Sequence, residues 1–327
     1  MSYHGTRILL GACLLTLAVP LAAAHELIAV RDQNPLIRGL YLPVSADEPS
    51  AGDPLVQRFV LTLSNTCNIE RSSRDGLRVD GEALELRWLM AWRPADRLRI
   101  RATVPVVYYG GGALDGVVDG WHELFRLPDG SRSYVRGGDL VYRYRSLDAT
   151  VQQSDSHVAL GDSALEAGIE LRKTDRSQLS AWVGVEAPTG DREAFTGNEA
   201  WDLGTWLEGG WRLTGRTSLA ARAGVVRPGS AAPLPLEARR TVAFGSVGAT
   251  WEAAPALALQ LQLDAHQGML EDTDLRFLGE ALQLTLGALY RSVSGWRWQL
   301  ALTEDLRVNA SPDFALQLSV HVGGATP

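Results

Sequence analysis

Lysine is nearly missing from this chain: of 31 basic residues only Lys173 is a lysine, and the rest are arginines. A water-soluble all-β protein guards its solvent face with Lys and Glu, so the scarcity argues against a soluble sandwich. Cysteine is equally scarce, with Cys13 and Cys67 the two present. Cys13 falls in a segment that is removed on export, which leaves Cys67 alone and excludes an intrachain disulfide. Beyond that segment no apolar run reaches the roughly 18 residues a membrane-crossing helix needs. A formal charge of −7 with no basic stripe excludes nucleic acid as a partner.

The N-terminus carries the marks of export. Arg7 supplies a positive start, residues 8–21 are almost all apolar, and Ala22, Ala23 and Ala24 offer a small-residue cleavage site. Residues 1–24 therefore read as a secretory signal peptide, with the mature chain starting at His25. Leu10-Gly11-Ala12-Cys13 resembles a lipoprotein cleavage box, but too short an apolar stretch precedes it. Residues 25–57 are expected to form a periplasmic segment ahead of the first strand.

What the chain has in quantity is period-2 alternation. In residues 82–93 one face reads Leu84, Leu86, Trp88, Met90, Trp92, and the other Glu85, Arg87, Leu89, Ala91, Arg93. Residues 98–109 repeat the pattern, with Leu98, Ile100, Ala102 and Val104 opposing Arg99, Arg101 and Thr103. It recurs over residues 58–65, 163–172, 179–186, 202–212, 218–226, 239–251, 256–266, 277–290, 296–303 and 314–322. Segments of about 10 residues with one apolar and one polar face suit tilted strands between hydrocarbon and a polar lumen. Connections alternate between tight turns, as at 94–96 and 173–177, and long ones, as at 65–81, 110–157 and 189–200. Short periplasmic turns and long external loops follow the outer-membrane rule. Ten Trp and eight Tyr, mostly near segment ends, suit interfacial girdles.

The fold class that follows is all-β: a single transmembrane, antiparallel, up-and-down β-barrel of twelve strands over residues 58–322, with residues 323–327 as a tail. Both chain ends then fall on the periplasmic side. Residues 138–145 alternate weakly and are placed in the long external loop as a strand extension or hairpin. The expected location is the bacterial outer membrane, with membrane lipid and the barrel-assembly machinery as partners. The end of the chain departs from the usual pattern. Val320-His321-Val322 followed by Gly323 to Pro327 lacks the aromatic terminus that the assembly machinery usually recognises.

Three segments together resemble a bacterial family of outer-membrane barrels catalogued as a domain of unknown function. They are residues 34–43 (Asn34-Pro35-Leu36-Ile37-Arg38-Gly39-Leu40-Tyr41-Leu42-Pro43), the loop residues 111–122 and 125–132, and Ser311-Pro312-Asp313-Phe314. The resemblance implies a barrel and brings no activity with it. Residues 186–191, Glu186-Ala187-Pro188-Thr189-Gly190-Asp191, are more weakly similar to barrels linked to aromatic-compound uptake.

The candidate site is the lumen. Strands two and three point Glu85, Arg87, Arg99 and Arg101 inward, and the next three point Glu166, Glu170, Glu186, Asp202 and Glu208 inward. Either these charges pair and fill the interior, or they face one another across water and orient a polar solute. Gly168, Gly184, Gly204, Gly210, Gly224 and Gly248 fall on inward positions and leave space. In the long loop, Leu114, Val117, Val118, Trp121 and Phe125 form one face of a short amphipathic helix. Asp115, Asp119 and His122 lie beside Trp121 as a lid over the mouth, or the helix rests on the rim. One His with two carboxylates does not make a metal site, and neither metal nor cofactor is expected. A hydrolase would use Ser156 or Ser163 with His157 or His266, but no G-x-S-x-G occurs. The expected function is a narrow channel for small polar or amphipathic solutes, with a closed structural or adhesive barrel as the alternative and an enzyme disfavoured.

Overall fold

The alternating runs become antiparallel strands because only that arrangement turns every second side chain to the same side while pairing all backbone groups. The computed structural model describes residues 26–45, 49, 54–112, 138–307, 312 and 314–322. In chain order the strands are β1 (Leu55–Arg71), β2 (Gly76–Trp92), β3 (Leu98–Gly110), β4 (Val141–Arg145), β5 (Thr150–Gln153), β6 (His157–Leu160), β7 (Ser163–Lys173) and β8 (Ser177–Ala187). They continue with β9 (Asp202–Arg212), β10 (Thr217–Arg227), β11 (Val242–Ala254), β12 (Leu257–His266), β13 (Ala281–Arg291), β14 (Arg297–Asp305) and β15 (Phe314–Val322).

Neighbours in sequence pair around the sheet, and β1 pairs with β15 from Gln57↔Val322 to Asn65↔Phe314, which closes it into a barrel. The wall has 12 strands. β6 and β7 count as one of them, since both pair with β3, β6 along Val106–Tyr109 and β7 along Leu98–Thr103. The break between them lies at Gly161 and Asp162. Opposite stands Pro105, which has no N–H to give, and the Gly161 N–H donates to its carbonyl at 2.9 Å. β4 and β5 form a hairpin that adds to the far end of β2 outside the wall. This is where residues 138–145 were expected.

Tight turns gather at one end and, apart from the extended β1–β2 hairpin, long connections at the other. We call these the turn end and the loop end. The outward rows are Leu, Val and Ala, with Leu165, Ile169, Val183, Leu207, Leu286 and Leu300 all exposed. Trp92, Trp211, Trp251, Tyr290, Trp296 and Trp298 ring the turn end, and Tyr108 and Trp201 stand exposed at the loop end. These positions suit an aromatic girdle at a lipid boundary. Cys67 is buried as a thiol.

Two boundaries differ from expectation. Residues 65–81 were expected to form a loop, but β1 and β2 run on as a paired hairpin from Asn65↔Glu82 to Arg71↔Gly76. Residues 64–68 and 79–83 are buried on both faces, so no alternation marks them. Phe277 was placed in a strand. It sits instead in a single 3-10 turn, Arg276–Leu278, with Phe277 and Leu278 buried. The segment expected to be a signal peptide, the helix expected around Asp115, Asp119, Trp121 and His122, and the expected C-terminal tail lie outside the described residues.

Candidate functional site

The interior is occupied by the chain's own N-terminal segment. Residues 25–57 were expected to lie in the periplasm, yet 27–45 are buried almost throughout inside the barrel. Glu26 stands 3.8 Å from Arg297 at the turn end. The chain then rises. The Ile28 N–H donates to Gln262 at 2.6 Å, while the Gln262 amide donates back to the Ile28 carbonyl at 3.1 Å. Asp32 meets His266 at 3.0 Å, and the Asn34 amide donates to the Phe277 carbonyl at the loop end at 2.6 Å. A turn over residues 35–40 reverses it. Its tip packs so closely that a Cβ on Gly39 would lie 2.7 Å from the Gly197 carbonyl carbon. The return pass brings Tyr41 against β7, β8 and β9, and Val44 against Ala29, Val60 and Leu89. The segment is a hairpin-shaped plug.

Charge complementarity holds the plug in place. Arg31 lies 3.4 Å from Glu186, and Arg38 lies 3.2 Å from Glu85. The Tyr41 hydroxyl donates to Glu166 at 2.9 Å, and the Tyr41 backbone N–H donates to Asp202 at 2.9 Å. The other wall charges pair with each other. Arg99 donates to Glu170 at 3.0 Å, and Arg101 grips Glu208 with two hydrogen bonds of 2.8 and 3.1 Å while stacking on Trp182. Of the nine lumen residues expected from the sequence, Glu85, Arg87, Arg99, Arg101, Glu166, Glu186 and Asp202 are buried on the inner face, and Glu170 and Glu208 are partly buried there. They do not face one another across open water: Arg99 with Glu170 and Arg101 with Glu208 pair directly, and Glu85, Glu166, Glu186 and Asp202 meet plug residues.

The inward glycines do not leave an open conduit, as had been expected. A Cβ on Gly184 would lie 2.2 Å from the Tyr41 hydroxyl, on Gly204 2.9 Å from the same ring, on Gly248 2.9 Å from Leu27, and on Gly287 2.8 Å from Ile28. Gly168 and Gly224 lie against Trp182 and Trp206, which stack on each other inside the barrel with centroids 6.1 Å apart. Large aromatics and the plug need this space. Between the plug and β11–β12 a cavity of about 30 Å³ remains, lined by Arg31, Asp32, Arg222, Asp264 and His266 among others. A single water needs on the order of 10–15 Å³, so this is room for solvent and not for a solute.

Above the charged belt the loop end is apolar. Leu36, Ile37 and Leu40 of the plug tip join one cluster with Tyr109, Tyr142, Phe195, Leu234, Phe244, Met269, Phe277 and Leu278. Asp162 helps hold this cap over the mouth, accepting the N–H groups of Gly190 at 2.7 Å and Asn198 at 3.0 Å. Sequence reasoning missed the plug. The signal available was indirect: small residues repeated on inward positions, and a polar-apolar mixture over residues 27–45 with no period.

A closed antiparallel wall, an apolar outer belt and a charged interior define a transmembrane β-barrel of the outer-membrane type. The chain belongs to the family described as Protein of unknown function (DUF3187), whose profile matches residues 7–323. Among solved structures, the fold is similar to the COG4313 outer membrane channel from Pseudomonas putida F1. The TM-score is 0.54 at 14% identity, over 88% of this chain and 98% of that one. Lower similarities are found to the Ralstonia pickettii toluene transporter TbuX (TM-score 0.41, 13% identity, 83% of this chain and 89% of that one) and to the KdgM porin (0.46, 8%, 83% and 99%). No curated protein matches the sequence.

Proposed function

We propose that this protein is an outer-membrane channel for small polar or amphipathic solutes, kept closed by residues 26–45 and opened when that plug shifts. The carrying observation is the way the plug is held. It meets the wall through separate ion pairs and hydrogen bonds at Glu85, Glu166, Glu186, Asp202 and His266, each of which another polar group could replace. An apolar mouth above a charged waist matches a solute with an apolar body and a polar head. The likeness to a solved outer membrane channel supports the same reading at the level of fold. Membrane lipid would cover the outward Leu and Val rows, and the assembly machinery would engage the wall at β15.

A hydrolase finds less support. His157 has its Nδ1 at 2.7 Å from the Asp155 carbonyl and its Nε2 at 3.0 Å from that of Ala194. His266 is engaged by the Gln267 carbonyl and Asp32. The filled lumen favours a second reading, a closed structural barrel.

Planar-bilayer recording separates the two. The full mature chain is expected to show brief, small openings, and a variant lacking residues 26–45 a steady and larger conductance. A silent full chain beside a conducting deletion makes the plug permanent and favours the closed barrel. Silence from both removes the channel reading.

A further inference from the structure

The inner wall made by β15, β1 and β2 holds a group of buried polar atoms without hydrogen-bond partners, most of them donors. Arg87 is 0% exposed, and among the described residues its Nη1 and Nη2 have no hydrogen-bond partner. Its one ion-pair contact there is Nε to Glu85, at 3.4 Å. Glu85 is already shared, taking Arg38 at 3.2 Å and the Gln33 amide at 3.0 Å on its other oxygen. Thr62 Oγ1, Ser64 Oγ and Gln317 Nε2 are likewise buried and without a partner.

The register sets part of this group side by side. Thr62 stands opposite Glu85 on β2 and opposite Gln317 on β15; Arg87, opposite Val60, lies one inward position from Thr62 in one direction, and Ser64, opposite Ala83, one inward position in the other. Such diagonal neighbours lie about 7–8 Å apart at their backbones, within reach of long side chains. Native interiors leave few buried polar atoms unmatched, because an unmade bond in a dry site costs more than a made one gains. Arg87, Thr62 and Gln317 gather on three neighbouring strands, and all three can donate; among the described residues the one unmatched acceptor beside them is Glu85 Oε1, 3.4 Å from Arg87 Nε. Among the described residues Arg87 has one carboxylate within ion-pair distance, Glu85, and Arg38 shares it, so the missing complement is negative and not merely polar. A guanidinium fork with a hydroxyl and an amide nearby matches the oxygens of a carboxylate, sulfate or phosphate.

We infer that the inner face of β15–β1–β2 is an oxyanion site centred on Arg87, with Thr62 and Gln317 as neutral donors, and that it receives the acidic group of a small solute. That the ligand is a solute in transit rests on the channel reading, but the site itself does not. Arg38 reaches it through Glu85, so the seated plug covers it and a bound anion would compete with the plug.

Binding in detergent tests the site without any bilayer, so its outcome stands apart from conductance. The purified full chain is titrated at constant ionic strength with inorganic phosphate, sulfate or octanoate against a chloride background, followed by calorimetry. One saturating site is expected. Arg87→Gln should weaken it at least about tenfold, the loss of a charge-assisted hydrogen bond or more, and Arg87→Lys should restore it in part. Thr62→Val keeps every charge and should weaken it as well, and this variant decides the matter if Arg87→Gln does not fold. Octanoate binding more tightly than the inorganic ions supports a solute head group, and the reverse order supports the site with an inorganic ligand. No saturable binding of any of the three, or equal binding by wild type and both variants, overturns the proposal.

Discussion

Arg101 on β3 shows how much single side chains carry inside this barrel. It is 2% exposed, holds both oxygens of Glu208 and lies 3.7 Å from the Trp182 ring. Removing one member of a buried pair strands the other charge, which costs about 3–5 kcal/mol, whereas replacing both by apolar groups is often close to neutral. Arg101→Met should therefore destabilise the barrel by about 3 kcal/mol, at the low end because Glu208 keeps some solvent. The double change Arg101→Met with Glu208→Leu should recover most of the loss, as measured by urea unfolding in lipid. The charges themselves were legible in the sequence, since alternation alone put Glu85, Arg87, Arg99, Arg101 and the five carboxylates on the inner face. Their partners were not. Arg31 and Arg38 come from a segment with no alternation, and which carboxylate each meets depends on how that segment is threaded. The glycines are a similar case: small residues at Gly184 and Gly204 were visible as room, but nothing local named Tyr41 as the occupant.

At the level of elements, the strands and the plug obey different rules. A barrel strand stands between lipid and lumen, and the boundary writes a period of 2 into its sequence. The plug has wall on every side, so no period survives, and its residues were assigned to the periplasm. The far halves of β1 and β2 were missed for the same reason, being covered on both faces. The plug's packing makes it testable as an element. Arg31 and Arg38 are buried in the seated plug and closed to trypsin. Gly39→Leu would drive a side chain into the backbone at Gly197, and Gly184→Val would collide with Tyr41. Either should unseat the hairpin and raise the rate of cleavage after Arg38 by at least about tenfold, since cutting follows the population of the open form. Equal resistance in wild type and both variants would show that the plug is not held by these contacts.

For the whole molecule, the outer surface is the strongest statement. Leu300 on β14 is exposed, paired with Ala288 on β13 and Leu318 on β15, and belongs to an unbroken apolar belt. Arginine there should cost about 2–4 kcal/mol if the belt meets hydrocarbon near the midplane. The loss of the folded, heat-modifiable band on gels and of stability in urea would measure it. A neutral outcome would mean that the belt does not face lipid. Closure of the wall was already implied by an even strand count with both ends on one side, and the pairing of β1 with β15 completes it.

Repeated alternation, sorted connection lengths and the scarcity of lysine determined the barrel, its strand number and its apolar outer face, because each of these is imposed locally along the chain. The closed lumen was decided by tertiary structure alone. Asp32 and His266 lie 234 positions apart in the chain, and the pocket that receives the plug is assembled from nearly every strand of the wall. No single stretch of sequence carries that shape, since it exists only once the sheet has closed.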